Sequence, residues 1–544
     1  MPLPVPNTSW PPTDFRPVFD RFREHDAWYR GDIDTLQAIY ATGAPSATHA
    51  HNGEARTGGI YGTVLNGISN LFWGKRVTPG TRRTALHVPL AADVATMKSD
   101  MLWAEPPEFT SATADPDGLP SRAEQIVQDR LDLIMNSDEA RMMFAESGEL
   151  TSALGGTYFS VAWNTATNDH VYPRAHDADT AIPEWSAGRL AAVTFWSSHA
   201  DGEDFYRHFE RHEPGRILHG LYKGTGDNVG FPVPADTLPE LAWLVTADRG
   251  KEIDPETHTV TLYTGITRLT AAYEPNVKKD RDFRKLGTLA HLGRSDYAGV
   301  ESELNAVDEA WSSYMRDLKI GRGRIFIPQN FLKTTGPGRG ASWDEEQEVF
   351  AQIDSIKNVD DKAQITAQQF EIRTAAHEQM ILSLSKIVLR NAGLGARDYE
   401  ERAGNLTATG ELMRDKREET TFDKQKRYAT SALTYIASVA LELDAIVFPG
   451  RGGIAGAQVA ASWPQELQVD AEKESRIIAQ LSAARAISTW TAVKRANPDW
   501  NDDLVKKEVD RINAEHQPLQ LTDPSTFTGA DDNEDQSDAE NDAA

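Results

Sequence analysis

The stretch VESELNAVDEAWSSYMRDL, residues 300–318, decides how the chain is organised, because it is one uninterrupted helical pattern. Its apolar side chains recur at alternating spacings of four and three residues, at Val300, Leu304, Val307, Trp311, Tyr314 and Leu318. This spacing predicts a sustained α-helix with a single apolar seam. A seam of this length needs a neighbour to cover it.

A second helix is predicted on the far side of a glycine-rich insert. The insert begins at Gly321 and contains the strand-prone GRGRIFIPQNF, followed by TTGPGRGASWDEEQEVF. Thr366 and Gln369 form a capping-box pattern that predicts the start of the second helix, and Gly393 predicts its end. The seam of this helix is expected at Met380, Leu384, Ile387 and Val388. Two helices flanking an insert predict a small module on a stalk.

The longest helix is predicted after a polar loop, GLGARDYEERAGNLTAT, residues 393–409. It should run for about 36 residues, or about 54 Å. Its seam has nearly heptad spacing, at Phe422, Ala429, Leu433, Ile436, Ala440, Leu443 and Val447, and like the first seam it is expected to need a neighbouring chain. Its first half, ELMRDKREETTFDKQKR, is so charged that a solvated face is the simplest interpretation.

The rest of the chain indicates an α+β fold. Strand-like runs occur at residues 155–163, 190–196 and 259–269. Helical patterns occur at 34–40, at 89–103, and after the capping box of Ser121 and Glu124. Further helices are expected at 471–495 and 502–515, before an acidic tail, GADDNEDQSDAENDAA, that is expected to be disordered.

Composition favours a folded chain without membrane or redox chemistry. The chain has 544 residues, 40% of them hydrophobic and 25% charged, which is typical of a globular protein of three or four modules. The sequence contains no cysteine, which excludes disulfides and thiolate metal sites. The start lacks a basic and apolar leader pattern, and Glu442 and Asp444 interrupt the most apolar stretch, so neither a signal peptide nor a membrane span is predicted.

No catalytic, cofactor or metal site is predicted. Residues 67–75, GISNLFWGK, have the wrong spacing for a phosphate-binding loop, and Arg76 replaces the magnesium-binding hydroxyl, so no ATPase activity is expected. Gly224, Gly226 and Gly230 miss the dinucleotide fingerprint and indicate a loop. Packing or surface roles, rather than metal binding, are expected for four histidines: His49, His51, His208 and His212.

Five segments together resemble the portal proteins of siphophages that infect actinobacteria. In chain order they are LHVPLAADVATMKSDMLWAEPPEF from Leu86, ALGGTYFSVAWN from Ala153, GRGRIFIPQNFL from Gly321, GASWDEEQEVF from Gly340 and FEIRTAAHEQMI from Phe370. None is a catalytic signature, so their number and order carry the resemblance. It covers residues 86 to about 515.

The resemblance implies a ring, usually of twelve subunits, whose parts can be assigned to the chain. The expected parts are an N-terminal extension at 1–60, a mixed α/β wing at 61–295, a first stem helix at 296–319, a β-containing clip at 320–365, a second stem helix at 366–392, a tunnel loop at 393–409, a long wing helix at 410–450, a helical crown at 451–515 and an acidic tail at 516–544.

The implied function is that of a head–tail connector at one vertex of the virion capsid, assembled in the host cytoplasm. Its implied partners are double-stranded DNA, the terminase large subunit, major capsid and scaffolding proteins, and a head–tail adaptor. The clip candidates for terminase or adaptor contact are Arg322, Arg324, Trp343, Asp344 and Glu345. The tunnel-loop candidates are Arg397, Asp398, Glu400, Glu401 and Arg402.

The charge balance agrees with a channel through which DNA slides. The chain carries 56 basic and 82 acidic residues, a formal net charge of -26. Each phosphate that a protein neutralises adds salt-sensitive affinity, which would slow passage. Two alternatives remain open at this point: another ring or coiled-coil assembly protein without a DNA channel, and a soluble hydrolase. The absence of a central channel wide enough for DNA would favour the first alternative. A nucleotide or metal retained through purification would favour the second.

Overall fold

The computed structural model describes fourteen stretches of the chain, and the structural statements below concern these residues. They are residues 3–41, 86–111, 121–201, 204–246, 250–320, 324–326, 366–368, 373–395, 408–451, 458–464, 471–484, 486–497, 500 and 502–515. The chain divides into two compact units, residues 1–464 and 465–544.

Twelve α-helices lie in the described residues. In chain order they are α1 Arg16–Arg30, α2 Ile33–Ala41, α3 Leu90–Trp103, α4 Arg122–Met135, α5 Asp138–Leu154, α6 Ala242–Thr246, α7 Glu301–Ile320, α8 Thr374–Ala392, α9 Ala408–Val447, α10 Ala471–Ala483, α11 Thr489–Ala496 and α12 Asp502–Glu515.

Fourteen strands lie in the described residues. They are β1 Glu108–Ser111, β2 Gly156–Ala162, β3 Tyr172–Asp177, β4 Ala181–Ser186, β5 Arg189–Asp201, β6 Asp204–Glu213, β7 Arg216–Thr225, β8 Asn228–Val233, β9 Lys251–Ile253, β10 Val260–Tyr263, β11 Ala271–Pro275, β12 Arg324–Phe326, β13 Thr366–Gln368 and β14 Val459–Ser462. The α+β class predicted from the sequence is confirmed.

Local signals account for several element boundaries. The capping box predicted before α4 is present: the Ser121 hydroxyl accepts from the Glu124 backbone N–H at 3.3 Å, and the Glu124 carboxylate accepts from the Ser121 N–H at 2.7 Å. Gly155 ends α5 in the left-handed region at φ 91°. The strand predicted over residues 259–269 ends at Tyr263, because Gly265 turns the chain at φ 76°.

The largest sheet is antiparallel and has seven strands. Its order is β4-β5-β6-β7-β10-β9, with β8 also paired to β7. The loop predicted over the three spaced glycines is right only for Gly226, which lies in the β7–β8 turn, because Gly224 belongs to β7 and Gly230 to β8. One face of this sheet packs against α6 through Leu244, and the other is covered by N-terminal residues, including Trp10 edge-on to Phe209 at 4.6 Å. Residues near the N-terminus are therefore part of this core.

A second layer is built on the three-stranded sheet β11-β2-β3. The long helix α9 packs on this sheet together with α4 and α5, and Phe159 and Leu433 are both fully buried there. The short β14, which follows α9, pairs with β1. This pairing ties the chain that follows α9 to the strand that precedes α4.

The unit formed by residues 465–544 contains three described helices. The single helical stretch predicted at 471–495 is two helices, because the Ser488 side chain caps a new helix by accepting from the Thr491 N–H at 3.1 Å. The helix predicted at 502–515 is confirmed as α12. Among its described hydrophobic residues, only Val493 and Val505 are buried.

Candidate functional site

Helices α7 and α8 form an antiparallel pair. The end of α7 meets the start of α8 where the Asp317 carboxylate accepts from the His377 ring Nε2 at 2.9 Å and from Arg373 at 3.3 Å. The Tyr314 ring stacks on the His377 ring, with centroids 5.3 Å apart. The pair of helices expected on both sides of the insert is therefore present.

The seam of α7 is covered along only part of its length. Leu304 and Val307 are buried in the same core as α1 and α3. Farther along the same seam, Trp311 is 36% exposed. An indole that a single subunit leaves this open indicates a surface that a neighbour can cover.

The seam predicted for α8 is only partly right. Val388 is buried and Leu384 packs beside it, but Met380 is 51% exposed and Ile387 is 38% exposed. The face that packs inside the subunit is centred instead near Ser385, Val388 and Leu389. Met380 and Ile387 lie seven residues apart, so they form a separate apolar stripe along one side of α8.

The insert begins and ends in a short β-ribbon. Strands β12 and β13 pair antiparallel, with Ile325 opposite Ala367. The capping box predicted at Thr366 and Gln369 is wrong: Thr366 lies in β13, and α8 begins only at Thr374, after Arg373. Residues 366–368 pair with β12 as a β-strand, so their backbone is not available to start a helix.

Only one of the five clip candidates lies in the described residues. Arg324 is the first residue of β12, opposite Gln368, and its side chain lies outside the described residues. The other four clip candidates lie outside the described residues altogether: Arg322, Trp343, Asp344 and Glu345. Their predicted role stays a prediction.

The start of the loop after α8 is anchored on α9. Gly393 ends α8 at φ 81°, as predicted, and a Cβ atom there would lie 2.6 Å from the Thr421 hydroxyl of α9. The Gly395 N–H donates to the Glu418 carboxylate of α9. The five loop candidates lie outside the described residues: Arg397, Asp398, Glu400, Glu401 and Arg402.

A buried lysine ties the end of α8 to α9 and α3, and the sequence reasoning did not identify it. Lys98 of α3 is 2% exposed; its ammonium donates to the Ala392 carbonyl at 3.0 Å and to the Gln425 side-chain oxygen at 3.1 Å. Burial lowers its pKa, and the nearby Asp296 carboxylate, 3.9 Å away, opposes that shift. The signal available was a lysine within an otherwise apolar helical pattern.

The seam of α9 is covered inside its own subunit. Six of its seven predicted positions are buried: Phe422, Ala429, Leu433, Ile436, Ala440 and Leu443. The expectation that this seam needs a neighbouring chain is therefore wrong. Glu418–Val447 is long and apolar enough for a membrane span, yet half of its most apolar window is buried in this core.

An ion pair is buried beside that seam. Arg130 of α4 donates two hydrogen bonds to the Asp444 carboxylate of α9, at 2.8 and 2.6 Å. Asp444 is fully buried and also accepts from the Val171 N–H at 3.2 Å. A bidentate pair of this kind fixes the orientation of α9 against α4.

Comparison with known protein families decides the identity of the chain. Residues 63–520 match the phage portal protein family described as SPP1 Gp6-like. The chain belongs to this family. No curated protein matches it closely enough to count as a relative. The match extends the predicted resemblance at both ends, and it leaves α1 and α2 outside.

Portal proteins are structural components of the phage virion. No three His, Cys, Asp or Glu side chains in the described ranges are grouped to hold a metal ion. His49 and His51 lie outside those ranges. His212 is fully buried, and it bonds to Thr270 at 2.7 Å and to Glu210 at 2.9 Å, so a packing role is confirmed for it.

Proposed function

We propose that this portal protein assembles into a closed ring of about twelve subunits and forms the channel through which double-stranded DNA enters and leaves the capsid. Family membership supports a portal role, and the ring follows from the surfaces of the subunit. In a ring each subunit presents two different patches, one to each neighbour. The alternative is a virion assembly protein without a DNA channel.

The observation that carries the proposal is the incomplete cover of the helix pair. Trp311, Met380 and Ile387 are large apolar side chains that are exposed on two helices whose other faces are buried in the core. Exposed aromatic and Met side chains are enriched at protein interfaces. A second copy of the chain supplies the missing cover when the ring closes.

The proposed parts follow from this placement. Helices α7 and α8 serve as the stem, residues 320–365 as the clip on its β-ribbon, residues 393–409 as the tunnel loop, and 451–515 as the crown. The remaining described elements before the stem, together with α9, form the wing. The anchoring of Gly393 and Gly395 on α9 supports a loop that projects from a firm base.

The proposed channel conducts DNA without hydrolysing ATP. Packaging energy comes from a terminase that docks on the clip, where Arg322, Arg324, Trp343, Asp344 and Glu345 are the contact candidates. In the tunnel loop, Arg397 and Arg402 touch phosphates while Asp398, Glu400 and Glu401 keep that contact weak. The net charge of -26 per subunit favours sliding over holding.

The decisive experiment is native mass measurement and electron microscopy of the purified chain, with a double variant Trp311→Ser/Met380→Ser. The unmodified chain should form a closed ring with a DNA-wide central hole. The double variant should remain monomeric at micromolar concentration, because it loses the apolar surface that the neighbour covers, while its circular dichroism and melting temperature as a monomer stay unchanged.

The matched control is Met142→Ser on α5. Met142 is 62% exposed and lies on the wing, away from the helix pair, so its replacement should leave the ring intact. A stable monomer of the unmodified chain at micromolar concentration would overturn the proposal. A ring that forms equally well from the double variant would show that other surfaces hold it.

A further inference from the structure

One face of α7 is polar and buried, and chain segments before residue 90 hold it. Glu301, Asp308 and Ser312 are spaced by seven and four residues, which places them on a single face of the helix. Asp308 and Ser312 are 2% and 3% exposed, and the Glu301 side chain is 15% exposed. This face is distinct from the seam that Trp311 leaves open.

The first turn of α7 is held by α1. The Arg21 guanidinium contacts the Glu301 carboxylate at 3.0 Å and donates to Asp282 at 2.8 Å. The His25 ring nitrogen Nε2 lies 3.4 Å from the same Glu301 oxygen. Arg21 is 6% exposed and Glu24 lies 3.4 Å away, so the contact is enclosed by protein rather than screened by water.

The middle of α7 is held by residues 86–88. The Asp308 carboxylate bonds to the His87 ring Nδ1 at 2.9 Å and accepts from the Val88 N–H at 2.8 Å. One turn farther along, the Ser312 hydroxyl accepts from the Leu86 N–H at 2.9 Å. Residues 86–88 and α1 thus grip one face of α7 at two levels, about ten residues apart.

The two levels belong to one assembly. The His87 ring packs on the end of α1: its centroid lies 6.0 Å from that of Trp28, and a Cβ atom at Gly31 would lie 2.7 Å from the ring. We call Arg21, His25 and residues 86–88 the N-terminal clamp. A helix bonded to one body at two levels cannot change its tilt without breaking buried polar contacts.

We infer that the N-terminal clamp sets the direction of α7 relative to the wing, and thereby sets how many subunits close the ring. The inference rests on the proposed ring. In a closed ring of twelve, neighbours are related by about 30°, and one more subunit lowers this to about 28°. A change of a few degrees in the helix that carries the interface is therefore enough to alter the number. Arg21 and His25 lie outside the matched residues 63–520, so family membership assigns them no role.

The test compares two variants in which uncharged side chains of similar volume replace the charged ones. Arg21→Met/Asp282→Asn/Glu301→Gln removes the contacts at the first turn of α7. Asp308→Asn/Ser312→Ala weakens the contacts at the middle of α7. The control, Arg130→Met/Asp444→Asn, removes an equally buried ion pair that touches α9 instead of α7. Subunit number is measured by native mass and by the symmetry of end-on views in electron micrographs, with the melting temperature of each variant beside it.

We expect the unmodified chain and the control to give one ring size, and both clamp variants to give two or more sizes or open arcs. If the folded clamp variants keep the single ring size of the unmodified chain, the inference is overturned. A spread of sizes in the control as well would assign the effect to lower stability and would equally overturn it. An unmodified chain that forms no ring contradicts the proposed function itself, which is a separate outcome.

Discussion

The long helix α9 and the helix pair α7–α8 carry apolar seams of the same kind, but the structure covers them differently. In α9, positions such as Leu433 and Ile436 are fully buried by β-strands and helices of the same chain. In the helix pair, the seam of α7 is buried at Leu304 and Val307 but partly exposed at Trp311. Seam spacing thus indicates that a helix face is to be buried, but it does not tell which chain buries it.

The polar contacts follow the same division. Around α9 they are enclosed, as in the pair of Arg130 and Asp444, where one side chain is 9% exposed and the other fully buried. At the far end of the helix pair, Arg373 is 73% exposed in its contact with Asp317. A substitution in the buried polar contacts around α9 should cost much stability, whereas one in the exposed contacts of the helix pair should cost little.

The largest expected effect is acid destabilisation around the buried carboxylate of Glu210. Burial lowers the pKa of His176 and His219 to about 3 and that of His208 to about 4. These rings face Glu210, whose pKa Arg174 and His212 hold well below its usual range against the effect of burial. The neighbouring His199 ring also lowers the pKa of His208, and the His212 ring that of His219.

The sign follows from which state binds protons. The unfolded chain protonates these three histidines below their ordinary pKa of about 6.5, while the native state stays neutral until about pH 4. Stability therefore falls as the pH drops through this window, by on the order of 5 kcal/mol at pH 5 for the three together. Urea denaturation from pH 7 to pH 5, followed by the fluorescence of the wing tryptophans, measures the fall.

Two variants test whether the buried histidines cause this pH dependence. His219→Gln should make the pH dependence shallower by about one proton, and Ser186→Ala, an exposed change in β4 that removes no titratable group, should leave it unchanged. A His219→Gln variant whose stability has the same pH dependence as that of the unmodified chain would contradict the prediction.

The sequence predicted elements that local signals specify, and it failed where distant parts of the chain decide. The capping box of Ser121 and Glu124, the end of α8 at Gly393 and the seam of α9 were all predictable from short patterns. The start of α8 was not, because the pairing of β13 with β12 depends on residues about forty positions apart.

The candidate site divides in the same way. The paired helices and the insert between them could be predicted from spacing and glycine content alone. Lys98 and Arg21 could not, because the carbonyl and carboxylates that they bond come from other helices and loops. The clip and tunnel-loop residues stay predictions that rest on the resemblance.

The second effect is a gain in stability from removing a buried carboxyl group. Glu274 of β11 is 2% exposed, its Oε2 atom has no hydrogen-bond partner, and burial raises its pKa to about 8. The native state keeps a proton that the unfolded chain loses above its ordinary pKa, so stability falls as pH rises from about 4.5 to 8. Glu274→Gln should remove this loss and add about 2 kcal/mol at pH 7.

Denaturation of this variant at pH 5 and pH 8 tests the sign, since the gain should be larger at pH 8. Glu105→Gln provides the control, because Glu105 is exposed after α3 and its replacement should change stability by less than about 0.5 kcal/mol. A gain independent of pH would show that Glu274 is not held in its neutral form.

The smallest effect is expected at the exposed end of the helix pair. Hydrogen bonds from His377 and then Arg373 lower the pKa of the Asp317 carboxylate, yet the Arg373 side chain is 73% exposed and its contact is screened by water and salt. Arg373→Ala should therefore shift the melting temperature of the monomeric Trp311→Ser/Met380→Ser background by less than about 1 °C. Differential scanning calorimetry at low and at physiological salt measures the shift. A substantially larger and salt-independent loss would mean that the subunit already shields this end of the pair, and the contrast with α9 would then lie in the apolar seam alone.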